Sequence, residues 1–196
     1  MSDASHTAKV LSREAYEHDA DVVARRLLGC RLSVEGDTGV REARIVETEA
    51  YLGERDLACH AARGRTARTE SLYGPPGTAY VYLVYGMHEL FNVVAAREDE
   101  PHAVLIRAVE PLDFDARTHG PGLLTRALGI DRADDRADLI AGRIRILDGA
   151  GPARVAVGPR IGVDYAGPWA AAPLRFGDAD SRRLSKRFPA ETAQVR

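Results

Sequence analysis

Lysine is the first absence. Of the 27 basic residues in the 196-residue chain only Lys9 and Lys186 are lysines, both near the ends, and the rest are arginines. Amine-based covalent chemistry therefore has few candidates in the body of the chain. Cysteine is nearly as scarce: Cys30 and Cys59 cannot make a disulfide framework, a four-cysteine cluster or a Cys-rich zinc site. His6, His18, His60, His88, His102 and His119 are scattered, with no pair at metal-ligand spacing on an obvious helix, so neither a metal nor another cofactor is expected. No Gly-rich phosphate loop or dinucleotide fingerprint is present. No apolar run approaches the roughly 18 residues of a membrane span. Met1 to Lys9 lacks the apolar stretch of a signal peptide, which makes the cytoplasm the expected location. A basic excess is missing too. The net charge of −2 taken alone argues weakly against a nucleic-acid partner. Its distribution is uneven, however. Arg63, Arg65 and Arg68 stand together, whereas Asp113, Asp115, Asp131, Asp134, Asp135 and Asp138 collect elsewhere.

What is there fits one domain, residues 1–196, with an apolar share of 45% and no internal repeat or low-complexity linker. Asp19 to Leu28 reads as a capped amphipathic helix stopping at Gly29. Cys30 to Val34, the EGDTG turn and Val40 to Tyr51 read as strand, turn and longer strand. Thr78 to Tyr85 and Leu90 to Ala95, joined through Gly86, read as a hairpin. Ala103 to Val109 is a further strand, and Pro121 opens a short helix to Ile130. Arg143 to Leu147, Arg154 to Val157 and Arg160 to Val163 complete a strand-rich second half. Strands without regular βαβ alternation predict an α+β fold with a mainly antiparallel sheet. The stretch after Phe176 reads as a short helix and a loose tail, with no role assigned.

Three segments carry chemistry. In Val46 to Tyr51 strand alternation puts Glu47, Glu49 and Tyr51 on one side. Spacing alone fits a solvated strand edge as readily as a paired-carboxylate site. Tyr80 and Tyr82 likewise share a face, and Tyr85 falls beside the presumed turn. A tyrosine-rich strand is an ordinary sheet element, but an aromatic at a hairpin tip is costly unless it meets something flat, such as a stack of bases. His60, followed by the arginine cluster, fits a surface histidine before a solvated loop, or a loop that contacts phosphates.

The run IVETEAYLG, then His60, Gly-x-Thr-x-Arg, PPGTAYVYLVYGM and Asn92 resembles the alkyladenine (3-methyladenine) DNA glycosylase family. LIRAVEP from Leu105, Gly120-Pro121 leading into LTRALGI, and RIGVDYAGPWAAAPLRF from Arg160 extend the likeness over roughly residues 10–178. The resemblance implies a curved, barrel-like sheet with peripheral helices and a protruding tyrosine-bearing hairpin. It also implies a base-excision-repair enzyme that extrudes alkylated or deaminated purines from double-stranded DNA and hydrolyses the glycosidic bond. In that reading Glu49 is the general base, and Arg107 helps hold it and the attacking water. Tyr51, His60 and Tyr82 wall the base pocket, Asn92 excludes guanine, Tyr85 fills the gap in the duplex, and Arg63, Arg65 and Arg68 face the DNA backbone. Neither lysine lies in these motifs, so the implied enzyme is monofunctional, and nothing suggests an obligate oligomer or a membrane partner. Gly122-Leu123-Leu124 stands where the family commonly has Ser-Lys, and Thr69 where Asn is frequent. A non-catalytic damaged-DNA binder could dispense with Glu49 and Arg107. A hydrolase or transferase acting on RNA or nucleotides would turn the same residues to another substrate.

Overall fold

The computed structural model describes residues 8–189 and 193–195. Residues 1–7, most of the stretch read above for a signal peptide, lie outside them, as do 190–192 and 196. Nine strands form one curled antiparallel sheet, a half-barrel, with helices packed on it.

The longest strand, β2 (Gly39–Leu52), is the axis of the fold. It follows β1 (Arg31–Gly36) through a hairpin in which Gly36 pairs with Gly39 across Asp37-Thr38. Along one side β2 pairs with β5 (His102–Pro111), and β5 continues to β4 (His88–Ala95) and β3 (Ala79–Val84). The other side of β2 is shared: β1 covers its first half, and β8 (Arg175–Asp178) pairs with Glu47, Thr48 and Glu49. β6 (Ile144–Leu147) pairs with β1. Beyond β8 come β7 (Arg154–Gly158) and β9 (Ala193–Val195). Of the two readings left open for Glu47–Glu49 the solvated strand edge is therefore excluded; β2 is interior to the sheet.

A pair of bulges sets the two faces. Between β2 and β5, Ile45 pairs with Val109, Glu47 with Ala108 and Thr48 with Ile106, so Val46 and then Arg107 are each passed over. A bulged residue reverses the side-chain alternation of its own strand. Upstream, Ala43 and Ile45 face the core; downstream, Thr48 and Ala50 do, and Glu47, Glu49 and Tyr51 turn to the opposite face. Without the bulge both carboxylates would point into the hydrophobic core.

The core face carries Ala79, Val81, Phe91, Val93, Val104 and Ile106, all at 1% exposure or less. Each large member stabilises the fold by roughly 1.5–3 kcal/mol of burial. Helix α1 (Ala20–Leu27) covers it with Ala20, Val23, Ala24 and Leu27, the spacing of one helical stripe. The Thr48 hydroxyl donates to the Ala24 carbonyl at 2.9 Å. Asp19 holds the N-cap position but makes no capping hydrogen bond. The Ala20 N–H donates to His102 Nδ1 instead, and Asp19 lies 3.6 Å from that ring. At the other end Gly29 has φ +86°, and a Cβ there would come within 2.1 Å of the Ala150 carbonyl oxygen, so only glycine fits. Helix α2 (Pro121–Leu128) starts with Pro121 in its first turn, as its sequence predicts, but stops short of the expected Ile130 because Gly129 takes the left-handed conformation.

Two expectations are corrected. Arg160 to Val163 is not a strand: its polar groups go elsewhere, the Arg160 side chain to Asp56 and the Ile161 N–H to the Glu49 carboxylate. The chain after Phe176 forms neither the expected helix nor a loose tail over its described residues. It completes β8, turns, and returns as β9 along β7. Among the described residues no helix is long and apolar enough to cross a membrane.

Candidate active site

Sheet register builds the site. Glu49 pairs with Leu105, Leu105 with Asn92, and Asn92 with Tyr80, so one row crosses four strands on the face away from the core. The next rows add Tyr51 with Ala103 and Tyr82 with Leu90. These side chains open into a cavity of about 540 Å³, walled by Tyr51, His60, Tyr80, Tyr82, Asn92 and Arg107.

The aromatic wall is mutually braced. His60 meets Tyr82 edge-on with ring centroids 4.5 Å apart, and Tyr82 lies 5.2 Å from Tyr80. His60 Nδ1 and the Tyr80 hydroxyl are hydrogen-bonded at 2.9 Å. Burial, assisted by the Arg68 charge, lowers the His60 pKa to about 4, so its imidazole is neutral at physiological pH. Burial raises the Tyr80 phenol to about 12 and holds Tyr51 and Tyr82 well above the ordinary phenol range. The wall is thus electron-rich and uncharged. Asn92 is buried and its amide donates to the Tyr80 carbonyl at 3.1 Å, which pins the side chain against its own hairpin.

Glu49 lies wholly buried behind this wall. Its Oε2 accepts from the Tyr51 hydroxyl at 2.9 Å and from Arg107 Nη1 at 3.1 Å, and its Oε1 accepts from the Ile161 N–H at 2.8 Å. Burial raises its pKa; the Arg107 charge, the Ile161 N–H and the Tyr51 hydroxyl oppose that rise, and neighbouring Glu47 adds to it. Arg107 follows Leu105 by two positions on the same face of β5 and is passed over in the pairing with β2.

Tyr85 stands at the tip of the β3–β4 hairpin, 91% exposed, with φ +50° followed by Gly86 at +69°. The Met87 N–H closes the turn on the Val84 carbonyl at 3.2 Å. A bulky residue in the left-handed region costs about 1–2 kcal/mol, and here an exposed aromatic is held in that state. Such an outlier points to function rather than stability.

The arginine cluster divides. Arg63 is exposed at the end of the short 3₁₀ helix that begins at His60. Arg65 is paired with both Glu70 and Asp99 at 2.7–2.8 Å and stacks over Tyr73, so it is already occupied by carboxylates. Arg68 lines the cavity beside Tyr80. Thr69 is buried in hydrogen bonds with Thr66 and the Gly64 carbonyl, a local network that shapes the arginine loop. At Gly122 a Cβ would meet the His88 side chain at 3.1 Å, so a serine there requires His88 to shift by a few tenths of an ångström.

Sequence reasoning missed the supports. Tyr80 was noted as a strand tyrosine and not as a wall of the cavity. Arg160 and Asp56, both 0% exposed, form a buried ion pair, with the guanidinium 4.7 Å from the Tyr51 ring centroid. The Asp56 carboxylate also accepts from the Leu52 and Ala58 N–H groups, fixing the chain between Tyr51 and His60. Tyr165 is exposed at the cavity rim and donates to the Ala58 carbonyl at 3.3 Å. Neither the Arg160–Asp56 pair nor the Tyr165–Ala58 bond has a local sequence signal, since in both the partners are about a hundred residues apart.

Residues 14–182 match the family model described as methylpurine-DNA glycosylase. A protein from Myxococcus xanthus is 52% identical over 184 residues, covering 91% of this chain and 95% of its own length. One from Methanocella arvoryzae is 45% identical over 197 residues (93% and 98%), and one from Legionella pneumophila strain Lens is 46% identical over 179 residues (90% and 98%). All three carry the name "Putative 3-methyladenine DNA glycosylase". The chain belongs to the methylpurine-DNA glycosylase family.

Proposed function

We propose that this chain is a monofunctional base-excision enzyme. It draws an alkylated or deaminated purine (3-methyladenine, 7-methylguanine, hypoxanthine or ethenoadenine) out of duplex DNA and hydrolyses its bond to deoxyribose, leaving an abasic site. The observation that carries the reading is the buried Glu49 carboxylate, held by Tyr51, Arg107 and Ile161 directly behind a tyrosine-walled cavity.

Extruding a base costs a few kcal/mol, least when the base is damaged. Stacking in the pocket returns roughly 1–3 kcal/mol. A cationic alkylpurine between neutral tyrosines gains a further cation–π contribution of about 0.5–2 kcal/mol. These opposing magnitudes are close, so modest chemical differences between bases decide which one remains. The neutral His60 matters here, because an imidazolium would repel the cationic substrate. Tyr85 occupies the vacated place in the stack, and its preset backbone spares that ordering cost at the moment of binding. In this reading Asn92 crowds the exocyclic amino group of guanine and so excludes that base. Arg63 and Arg68 contact phosphates; Arg65 does so only by giving up its acidic partners.

For the chemical step Glu49 Oε1 has one donor, and a carboxylate oxygen accommodates two. Its second acceptor site takes the proton of the attacking water, and the negative charge stabilises the positive charge that develops on the sugar. General-base assistance of this kind contributes about 10²–10⁴-fold. Lys9 and Lys186 do not line the cavity, which supports a water nucleophile. A borohydride-trapped covalent adduct with DNA would contradict it.

The direct test is single-turnover release of hypoxanthine from a duplex oligonucleotide, and of methylpurines from methylated DNA, by the intact protein and Glu49→Gln. Excision by the first and its loss in the second support the reading. Tight lesion binding with no excision by the intact protein moves the assignment to a damage-binding protein.

A further inference from the structure

Next to Glu49 lies a second fully buried carboxylate that the proposed chemistry does not use. Glu47 accepts from Arg175 Nη1 at 2.9 Å, from the Ser185 hydroxyl at 2.9 Å and from the Ser185 N–H at 2.5 Å. The same Ser185 hydroxyl accepts from Arg107 Nε at 3.2 Å. Ser185 belongs to the stretch after Phe176 that sequence patterning leaves without a role.

The bond directions in this cluster are forced. A guanidinium can only donate, so the Ser185 oxygen is the acceptor of the Arg107 bond, and its single proton goes to Glu47. Arg107 sits between two carboxylates, 3.1 Å from Glu49 Oε2 and 3.6 Å from Glu47 Oε1. With five N–H donors, Arg107 is able to serve either acid. Ser185 fixes it, and at the same time supplies Glu47 with a donor that Arg107 would otherwise provide. The other charged and titratable groups facing the cluster are Arg175 from β8, which also donates to the Lys186 carbonyl, Tyr51 from β2, Tyr82 from β3, and Arg160 from the segment after β7.

We infer that Ser185 is a positioning residue for the reaction: it directs the Arg107 guanidinium to Glu49 and away from Glu47, so the carboxyl-terminal segment completes the active site. This rests on Glu49 being the general base. Without the hydroxyl, Glu47 loses a donor and recruits Arg107 in its place. Glu49 then keeps the effect of burial and loses the charge that opposes it, and it is protonated over a wider range of pH.

The test is the pH dependence of single-turnover excision for the intact protein, Ser185→Ala and Ser185→Thr, with lesion-duplex affinity measured beside it. Ser185→Ala binds the lesion as the intact protein does and excises it about tenfold more slowly at neutral pH, the scale of one misdirected charge-assisted hydrogen bond. Its acidic limb moves to higher pH, and Ser185→Thr, which keeps the hydroxyl, brings the limb back. An unmoved limb in Ser185→Ala overturns the inference, as does a shift that Ser185→Thr fails to reverse. Should Ser185→Ala not fold, Ser185→Cys, close in size with a weak hydrogen-bonding group, takes its place. Glu49→Gln separates the two levels. Excision surviving there removes the base itself, whereas its loss there with an unmoved Ser185→Ala limb removes only the role of Ser185.

Discussion

At the residue scale the site is a matter of what surrounds two glutamates two positions apart. Both are fully buried, yet their partners differ: Glu47 is held by Arg175 and both polar groups of Ser185, and Glu49 by donors that line the cavity. The first environment locks a carboxylate in place, and the second holds one where a substrate can reach its neighbourhood. Arg107 is the electrostatic counterweight to the burial of Glu49. Replacing it with methionine removes the nearby positive charge, so the folded-state pKa of Glu49 rises further and the base form is reached only at higher pH. The acidic limb of the excision rate against pH is therefore expected to move upward in Arg107→Met. A limb that stays in place, or moves down, would show that Arg107 does not hold the base.

Among the elements, the hairpin β3–β4 and the paired bulges on β2 and β5 decide the geometry. Strand alternation made much of this legible: Glu47, Glu49 and Tyr51 do share a face, as do Tyr80 and Tyr82, and the turn at Gly86 lies where the glycine predicts. The bulges were not legible. Val46 and Arg107 carry no glycine or proline signal, and an extra residue in one strand is visible only against its partner. Arg160–Val163 misled for a related reason, since an alternating apolar pattern fits a strand until a buried ion pair claims its arginine. Ser185 went unread because a serine among arginines reads as a solvated tail. Tyr85 supplies a test at this scale. Tyr85→Gly relieves the left-handed strain, so the unfolding free energy is expected to be unchanged or higher, by up to about 1 kcal/mol. Extrusion of ethenoadenine, followed by its fluorescence, is expected to weaken about tenfold with the loss of one stacking contact. A clear loss of stability, or unchanged extrusion, would count against the wedge.

For the molecule as a whole, one sheet serves two purposes: its apolar face packs on α1 and α2, and its other face holds the cavity. The cavity side has two smaller apolar clusters of its own, and the buried Arg160–Asp56 pair, with Arg160 also donating to the Ala50 carbonyl of β2, ties its loops to the sheet. Removing one partner of a buried pair costs about 3–5 kcal/mol because the other is left uncompensated. That is a large share of the 5–15 kcal/mol typical of a whole domain. Arg160→Met is accordingly expected to lower the unfolding free energy read from urea denaturation by an amount in that range, and a change below about 1 kcal/mol would show that the pair is not structural.

The most direct measurement separates extrusion from bond cleavage. Duplex DNA containing ethenoadenine is mixed with the intact protein, Glu49→Gln and Glu47→Gln, and fluorescence and base release are followed together. The expected result is that Glu49→Gln draws the base into the pocket as the intact protein does and releases essentially none. Release by Glu49→Gln, or its loss in Glu47→Gln alone, would contradict the assignment and move the base one strand step along β2.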